Sequence, residues 1–320
     1  MLPAGSTIGI LGGGQLGRMM AVAALQLGYR VIGYAPEGDN VAADACSGFI
    51  TADWDDEAAL KDFAAACDVV TWEFENVPLG TVAALPQALL ACPARALEVA
   101  QDRLAEKRFV ADLGGSPAPY MAVSSEADFA AALAAIGTPG ILKTARLGYD
   151  GKGQIRVKDR AELATAWEQL GRVPCVLEKM LPLKAECSVI VARGADGQAV
   201  SYPVQRNTHV DGILAVTEVY EGALPAALCE KARAATIAIA HQLNYVGVLC
   251  VEYFVIDDGS ADGALVVNEM APRPHNSGHY TQNACDVSQF EQQVRALASL
   301  PLRPPRQHSA AIMVNLLGDL

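Results

Sequence analysis

Thr7-Ile8-Gly9-Ile10-Leu11-Gly12-Gly13-Gly14-Gln15-Leu16-Gly17 decides the architecture of the first part of the chain. The apolar, β-branched run over 6–11 reads as a strand, and the glycines after it as a tight turn. Leu16, Met19, Met20, Ala23, Ala24 and Leu27 then recur at spacings of three and four, so a helix follows, and Gly28 stops it. Outward from this unit the alternation continues. Arg30 to Tyr34 reads as a second strand, Asp44 to Ala52 holds a short one, Glu57 to Ala66 is helical, and Asp68 to Phe74 is a strand again. Strands alternating with helices imply an α/β, doubly wound parallel sheet over roughly 1–95.

Gly12 to Gly17 fits G-x-G-x-x-G between a strand and a helix, with Glu37 or Asp39 near the end of the second strand. That is a dinucleotide fingerprint, because glycines let the backbone approach a phosphate at a helix N-terminus. The same loop also serves as a plain strand-to-helix turn, or as a cradle for another anion. The first region leaves the three readings open.

The Pro-containing stretch from Leu85 to Pro93 reads as a connection, and from Ala96 a helix-forming segment carries Asp102, Arg103, Glu106, Lys107 and Arg108. Beyond Thr138 short β-runs with glycine-rich turns take over: Gly140 to Thr144, Gln154 to Val157, Cys175 to Glu178, Glu186 to Ala192 and Val200 to Pro203. A helix over about 225–243 precedes two longer strands, Gly247 to Val255 and Ala264 to Met270. This is an α+β, mostly antiparallel second domain.

Here the residues point to phosphate. Lys143 ends an apolar strand, a costly place for an ammonium without an anionic partner. Gly148-Tyr149-Asp150-Gly151-Lys152-Gly153-Gln154 follows, a loop whose amides can wrap phosphate oxygens, although Asp-Gly is equally a hairpin turn signal. Glu178-Lys179-Met180-Leu181 at a strand end suits adenine recognition, or is a plain strand end. A hairpin centred between Ser260 and Ala261 pairs Glu252 with Glu269 on one face. Directly opposed carboxylates repel and invite a cation, and oxygen-only ligands suit magnesium or manganese. Asn268 adds an oxygen at the same edge. Ala271-Pro272-Arg273-Pro274-His275-Asn276-Ser277-Gly278-His279 follows, with Arg273 as a bidentate fork for carboxylate or phosphate. A lone histidine is more often structural than catalytic. Clustering moves His275 and His279 towards a site, and His209 is weaker by itself.

Bulk properties agree with two globular domains in 320 residues: 52% hydrophobic, 19% charged. A formal net charge of -12 disfavours nucleic-acid binding. The eight cysteines show no C-x-x-C spacing and read as small buried hydrophobes in a reducing cytosol. No apolar run reaches about 18 residues, so no transmembrane helix is expected, and a cytoplasmic protein follows.

The glycine run Gly12 to Met19, Trp72-Glu73-Phe74-Glu75-Asn76-Val77-Pro78, Gly148 to Gln154, Asn268-Glu269 and Ala271 to His279 together resemble 5-(carboxyamino)imidazole ribonucleotide synthase. This is the ATP-dependent, ATP-grasp carboxylase family of purine synthesis. The resemblance runs from about residue 8 to the end. It implies a substrate domain over 1–95, an ATP-grasp domain over 96–300 with a smaller lid part at about 118–180, and the start of a small C-terminal domain over 301–320. It implies ATP contacts at Arg103, Lys143, Gly148 to Gln154, Glu178 to Leu181, Glu186, His209, Asn268 and Glu269, with magnesium on Glu252 and Glu269. It sets Gln15, Glu73, Glu75, Asn76, Tyr149, Lys152 and Arg273 towards the ribonucleotide. Lys143, Arg273, His275, Asn276 and His279 become the catalytic candidates, Arg273 and the two histidines for a bicarbonate pocket. Partners are then aminoimidazole ribonucleotide and bicarbonate, in a homodimer. The family's phosphate-gripping Lys/Gly/Arg motif lies in the C-terminal domain, of which only the first strand, Ala310 to Leu317, is expected here. Another ATP-grasp ligase or formyltransferase, an NAD-dependent oxidoreductase and a nucleotide sensor are the competing readings.

Overall fold

The computed structural model describes residues 1–148, 152–316 and 318. Tyr149, Asp150 and Gly151 of the expected glycine loop lie outside the described residues, as does Leu317 of the expected last strand.

The first region holds strands β1 (Thr7–Leu11), β2 (Arg30–Ala35), β3 (Gly48–Thr51) and β4 (Val69–Trp72). They form one parallel sheet in the order β3-β2-β1-β4. Helices α1 (Gln15–Gln26), α2 (Glu57–Ala66) and α3 (Leu79–Ala84) connect and cover it. Strand alternation sends Ile8 and Ile10 to one face, with Leu16 and Met20 of α1, and Leu11 to the other, with Leu60 and Phe63 of α2.

Where a single helical segment is expected from Ala96, two short helices occur: α4 (Arg95–Ala100) and α5 (Arg103–Asp112). Asp102 is the reason. It takes an extended conformation and its carboxylate accepts from the amides of Leu104 (3.0 Å) and Ala105 (3.2 Å). An N-cap of this kind contributes about 1 kcal/mol, and it aims the first turn of α5 at the site.

A second sheet, antiparallel, has the order β5-β8-β6-β7: β5 (Tyr120–Val123), β6 (Gly140–Thr144), β7 (Gln154–Val157) and β8 (Cys175–Lys179). Helices α6 (Phe129–Ile136) and α7 (Glu162–Gln169) close a separate small core with Leu142, Val157 and Leu177. The third sheet is the largest. It comprises β9 (Leu183–Arg193), β10 (Ala199–Ser201), β11 (Gln205–Val210), β12 (Ile213–Val219), β13 (Gly247–Ile256), β14 (Ala264–Ala271) and β15 (Ala311–Val314). Helices α8 (Ala226–Gln242), α9 (Thr281–Ala284) and α10 (Gln289–Leu297) flank it. β15 pairs with β12, Val216 opposite Val314, at the sheet's edge.

The domains share their cores. Phe290, Val294 and Leu297 of α10 pack with Ile8, Met20 and Val31 of the first sheet. Gln293 Nε2 donates to Thr71 Oγ1 (3.1 Å), and Trp72 Nε1 donates to the Pro272 carbonyl (2.8 Å). These contacts press the end of β4 against the Arg273 segment. All eight cysteines are free thiols. Among the described residues no helix is long and apolar enough to cross a membrane.

Candidate active site

The glycine loop is occupied by the protein itself. Gly14 N–H donates to Glu73 Oε1 (3.0 Å) and Gly17 N–H to Glu73 Oε2 (3.0 Å), while Gly13 N–H donates to Asp39 Oδ2 (3.0 Å). The anion seat at the N-terminus of α1 therefore holds a carboxylate. Burial raises the Glu73 carboxyl, and the amides of Gly17 and Gly14 pull the other way. The glycines are needed for the close approach: a Cβ on Gly12 (φ +110°) would meet Glu73 Cγ at 2.5 Å, and one on Gly13 would meet the Asp39 carbonyl oxygen at 2.0 Å. The dinucleotide reading loses its physical basis, because the amides a pyrophosphate needs are already satisfied.

Two residues on, Glu75 turns the other way and pairs with Arg273 Nε. Gln101 Nε2 donates to the carbonyls of Glu75 (2.9 Å) and Val77 (2.7 Å), pinning this segment. Burial opposes charging Glu75, but the Arg273 guanidinium outweighs it and lowers the carboxyl.

The end of β6 places Lys143 beside Glu178 of β8. Lys143 Nζ lies 2.9 Å from Glu178 Oε2, and Lys107 Nζ of α5 lies 2.9 Å from Glu178 Oε1. Burial would raise Glu178, but Lys143 and Lys107 bring it down to about 2. Arg103, one turn earlier on α5, reaches Glu269 Oε2 (3.2 Å). Between them Glu106 accepts the Met270 amide (2.6 Å), and burial together with the nearby Glu269 charge pushes its carboxyl up to about 8.

Glu252 does face Glu269, and the route to that register corrects the expected hairpin. Nearest the turn the strands pair as Val255–Leu265 and Tyr253–Val267, one position away from the expected centre. An irregularity between Glu252 and Tyr253 leaves Asn268 extra and restores the Glu252–Glu269 pairing. A β-bulge re-aims a side chain in this way. Asn268 Nδ2 donates to Glu252 Oε2 (3.3 Å), and its buried Oδ1 has no hydrogen-bond partner. Two opposed carboxylates and an unpartnered amide oxygen fit a hard divalent cation. No group of three or more His, Cys, Asp or Glu in metal-binding geometry occurs among the described residues, so the remaining ligands would have to be phosphate oxygens and water.

A buried polar chain backs this face. His275 Nε2 lies 3.2 Å from Glu252 Oε1, His275 Nδ1 shares a hydrogen bond with Ser277 Oγ (2.9 Å), and Ser188 Oγ donates to Ser277 Oγ (2.8 Å). Burial alone would lower His275; contact with Cys250 and Glu252 outweighs it and pushes the ring up to about 10. His209 contacts Glu186 and lies 4.0 Å from Glu252.

One cavity of about 1020 Å³ gathers these groups from both domains. Its wall includes Gln15, Glu73, Glu75 and Asn76 from the first region. It also includes Arg103, Lys143, Gly148, Lys152, Gln154, Glu186, His209, Glu252, Asn268, Glu269, Arg273, His275 and Asn276. Gly153, Glu178, Lys179, Met180, Leu181 and His279 are not on that wall. His279 stacks on Phe290 (6.0 Å between centroids), its two ring nitrogens lack hydrogen-bond partners, and burial lowers it to about 4. Glu106 and Arg146 line the cavity without having been singled out. Arg103, Glu106, Lys107 and the buried Val110 lie at i, i+3, i+4 and i+7. Charges inside an apolar helical stripe were the available signal.

A family model for the ribonucleotide synthetase preATP-grasp domain matches residues 5–101, and one for the ATP-grasp domain matches residues 108–290. The chain is 46% identical to N5-carboxyaminoimidazole ribonucleotide synthase of Brucella melitensis over 99% of its own length and 87% of the relative's. It belongs to the N5-carboxyaminoimidazole ribonucleotide synthase family. A solved ADP complex of an N5-carboxyaminoimidazole ribonucleotide synthetase superimposes with TM-score 0.93 at 40% identity, covering 99% of this chain and 83% of that one. The Aspergillus clavatus N5-carboxyaminoimidazole synthase, solved with ADP and 5-aminoimidazole ribonucleotide, gives TM-score 0.89 at 28% identity over 98% and 82%. As a member of this synthase family the chain is an ATP-grasp ligase, with the preATP-grasp sheet ahead of the ATP-grasp sheets.

Proposed function

We propose that this chain carboxylates 5-aminoimidazole ribonucleotide with bicarbonate, using ATP, to give 5-(carboxyamino)imidazole ribonucleotide, ADP and phosphate. One observation carries the residue assignment. Glu252 and Glu269 are opposed beside a bulge at Asn268, whose buried Oδ1 is unpartnered, in the same cavity as Lys143 and Arg273.

Bicarbonate is a poor electrophile. Its oxygen attacks the γ-phosphorus of ATP, the bond to the ADP oxygen breaks, and carboxyphosphate forms. The exocyclic amine of the aminoimidazole then takes the carboxyl carbon, losing a proton as phosphate departs. All three substrates are anions, so this chain's work is positioning and charge neutralisation. In this reading Lys143 and Arg103 meet the nucleotide phosphates, with Gly148, Lys152, Gly153 and Gln154 beside them and Glu178 to Leu181 at the adenine. Glu186 and His209 belong to the same nucleotide end. Magnesium, or manganese in its place, would be held by Glu252, Asn268 and Glu269, and would offset phosphate charge. Gln15, Glu75 and Asn76 face the ribonucleotide from the first-domain side, with Lys152 and Arg273 from the ATP-grasp domain nearby, while Glu73 shapes the loop behind them. Arg273, His275 and Asn276 form the bicarbonate pocket; His279 supports it from behind through the same segment.

We assign 1–95 to the ribonucleotide side and 96–300 to the ATP-grasp domain, with 118–180 as its smaller part. Residues 301–320 open a further unit whose strand β15 joins the large sheet's edge. We further propose a cytoplasmic homodimer, and sedimentation velocity tests the dimer.

The deciding experiment measures ADP release with ATP, magnesium and bicarbonate, with and without aminoimidazole ribonucleotide. Strong stimulation by that nucleotide is expected. Equal rates with and without it would refute the acceptor.

A further inference from the structure

Lys107 has no part in the function just described, yet it is one of the most deeply buried charges in the chain, 2% exposed. It is absent from the cavity wall. Its ammonium lies 5.7 Å from the centre of the Tyr120 ring and 2.9 Å from Glu178 Oε1. Lys143 takes the other oxygen of the same carboxylate at 2.9 Å. Two buried cations therefore share one buried anion.

The neighbours do not correct the imbalance. Arg103 is paired with Glu269 at 3.2 Å. Glu106 is engaged with the Met270 amide (2.6 Å). Among the described residues it forms no ion pair with either lysine, and the only carboxylate that Lys107 and Lys143 reach is that of Glu178. The Lys107–Glu178–Lys143 triad is left with one positive charge in excess. An uncompensated buried cation costs several kcal/mol, so the arrangement calls for an external anion. Lys143, the member on the cavity wall, registers the deficit: burial lowers it, Arg103 and Lys107 add to that, and Glu178 alone opposes them.

We propose that Lys107 is a positioning residue for nucleotide phosphate: by claiming one oxygen of Glu178, it keeps the charge of Lys143 from being cancelled at the cavity wall. Without it, Glu178 and Lys143 form a neutral pair. The inference rests on the reading that Lys143 meets phosphate, and adds to it a residue that never touches the ligand. The alternative is that Lys107 only ties α5 to β8.

Charge and tether separate in three variants, with ADP and magnesium titrated calorimetrically into each folded protein. Lys107→Gln keeps a hydrogen-bonding partner for Glu178 and removes the charge. It should weaken ADP by roughly tenfold, the scale of one charge-assisted contact. Lys107→Arg should stay within a few-fold of the parent. Parent-like binding by Lys107→Gln overturns the proposal. So does a Lys107→Arg variant that binds no better than Lys107→Gln. Lys143→Met is the separate check on the underlying reading: unchanged ADP affinity there removes Lys143 from the phosphate site, whatever Lys107 does.

Discussion

The chain contains two glycine-flanked anion seats, and they are finished in opposite ways. In the first, at Gly12 to Gly17, the amides of Gly14 and Gly17 already hold the carboxylate of Glu73. In the second, around Lys143, two lysines share the single carboxylate of Glu178. The first seat is closed by an internal anion; the second carries a surplus of positive charge. The difference teaches that a phosphate-like motif is read by its charge balance. Glycine spacing permits close approach in both places, but only the second leaves a charge for a ligand to neutralise.

The largest expected break in this contrast lies in the second seat. Glu269→Ala should cost roughly 3–4 kcal/mol of transition-state stabilisation, the scale of one lost electrostatic contact. Steady-state ADP release at saturating magnesium reads it, and turnover like the parent's would sink the metal assignment. In the first seat the loss should fall on the fold. Glu73→Ala strands two amides, at about 1–3 kcal/mol each when buried, so thermal unfolding should shift down while ADP affinity holds. A drop in ADP affinity without a drop in stability would show that the first seat is not closed after all.

A smaller effect tests the wall between the two regions. Burial lowers His279 to about 4 in the folded chain, against 6.5 as its ordinary value. The group is depressed, so its stabilising contribution is full above pH 6.5 and is lost as pH falls through about 4. At pH 5 the unfolded chain gains up to about 2 kcal/mol by protonating it. His279→Phe, stacked on Phe290, should flatten the stability profile over that window in chemical denaturation at several pH values. An unchanged acid limb would contradict the burial argument. The smallest effect is none: NAD titrated into the protein should give no binding heat where ATP gives a clear signal. NAD binding would reopen the first seat.

Much of this was legible from residue order. The parallel alternation of 1–95, the break at Gly28 and the limits of Gly140 to Thr144 follow from periodicity and turn residues, which are local effects. The two-helix form of 95–112 was hidden because Asp102 has no strong helix-breaking propensity. It breaks the helix by capping the next one. Strand β11 and helix α10 carried too few apolar residues to declare themselves. Their partners, such as Ile8 and Met20 against Phe290, are hundreds of positions away. The Glu252–Glu269 pairing was reached with the wrong hairpin centre, because a bulge at Asn268 is invisible in alternation but shifts register by one.

By itself the sequence determined which groups were available: a strand–glycine–helix unit, a lysine ending a strand, two carboxylates on neighbouring strands, and an Arg-His-Asn run, in the order of one ligase family. Only the tertiary structure decided which charges were already spoken for. Glu73 reaches Gly14 across 59 positions and Lys107 reaches Glu178 across the α5–β8 contact. Electrostatic pairing acts through space, at about 3 Å, between residues that the chain keeps far apart.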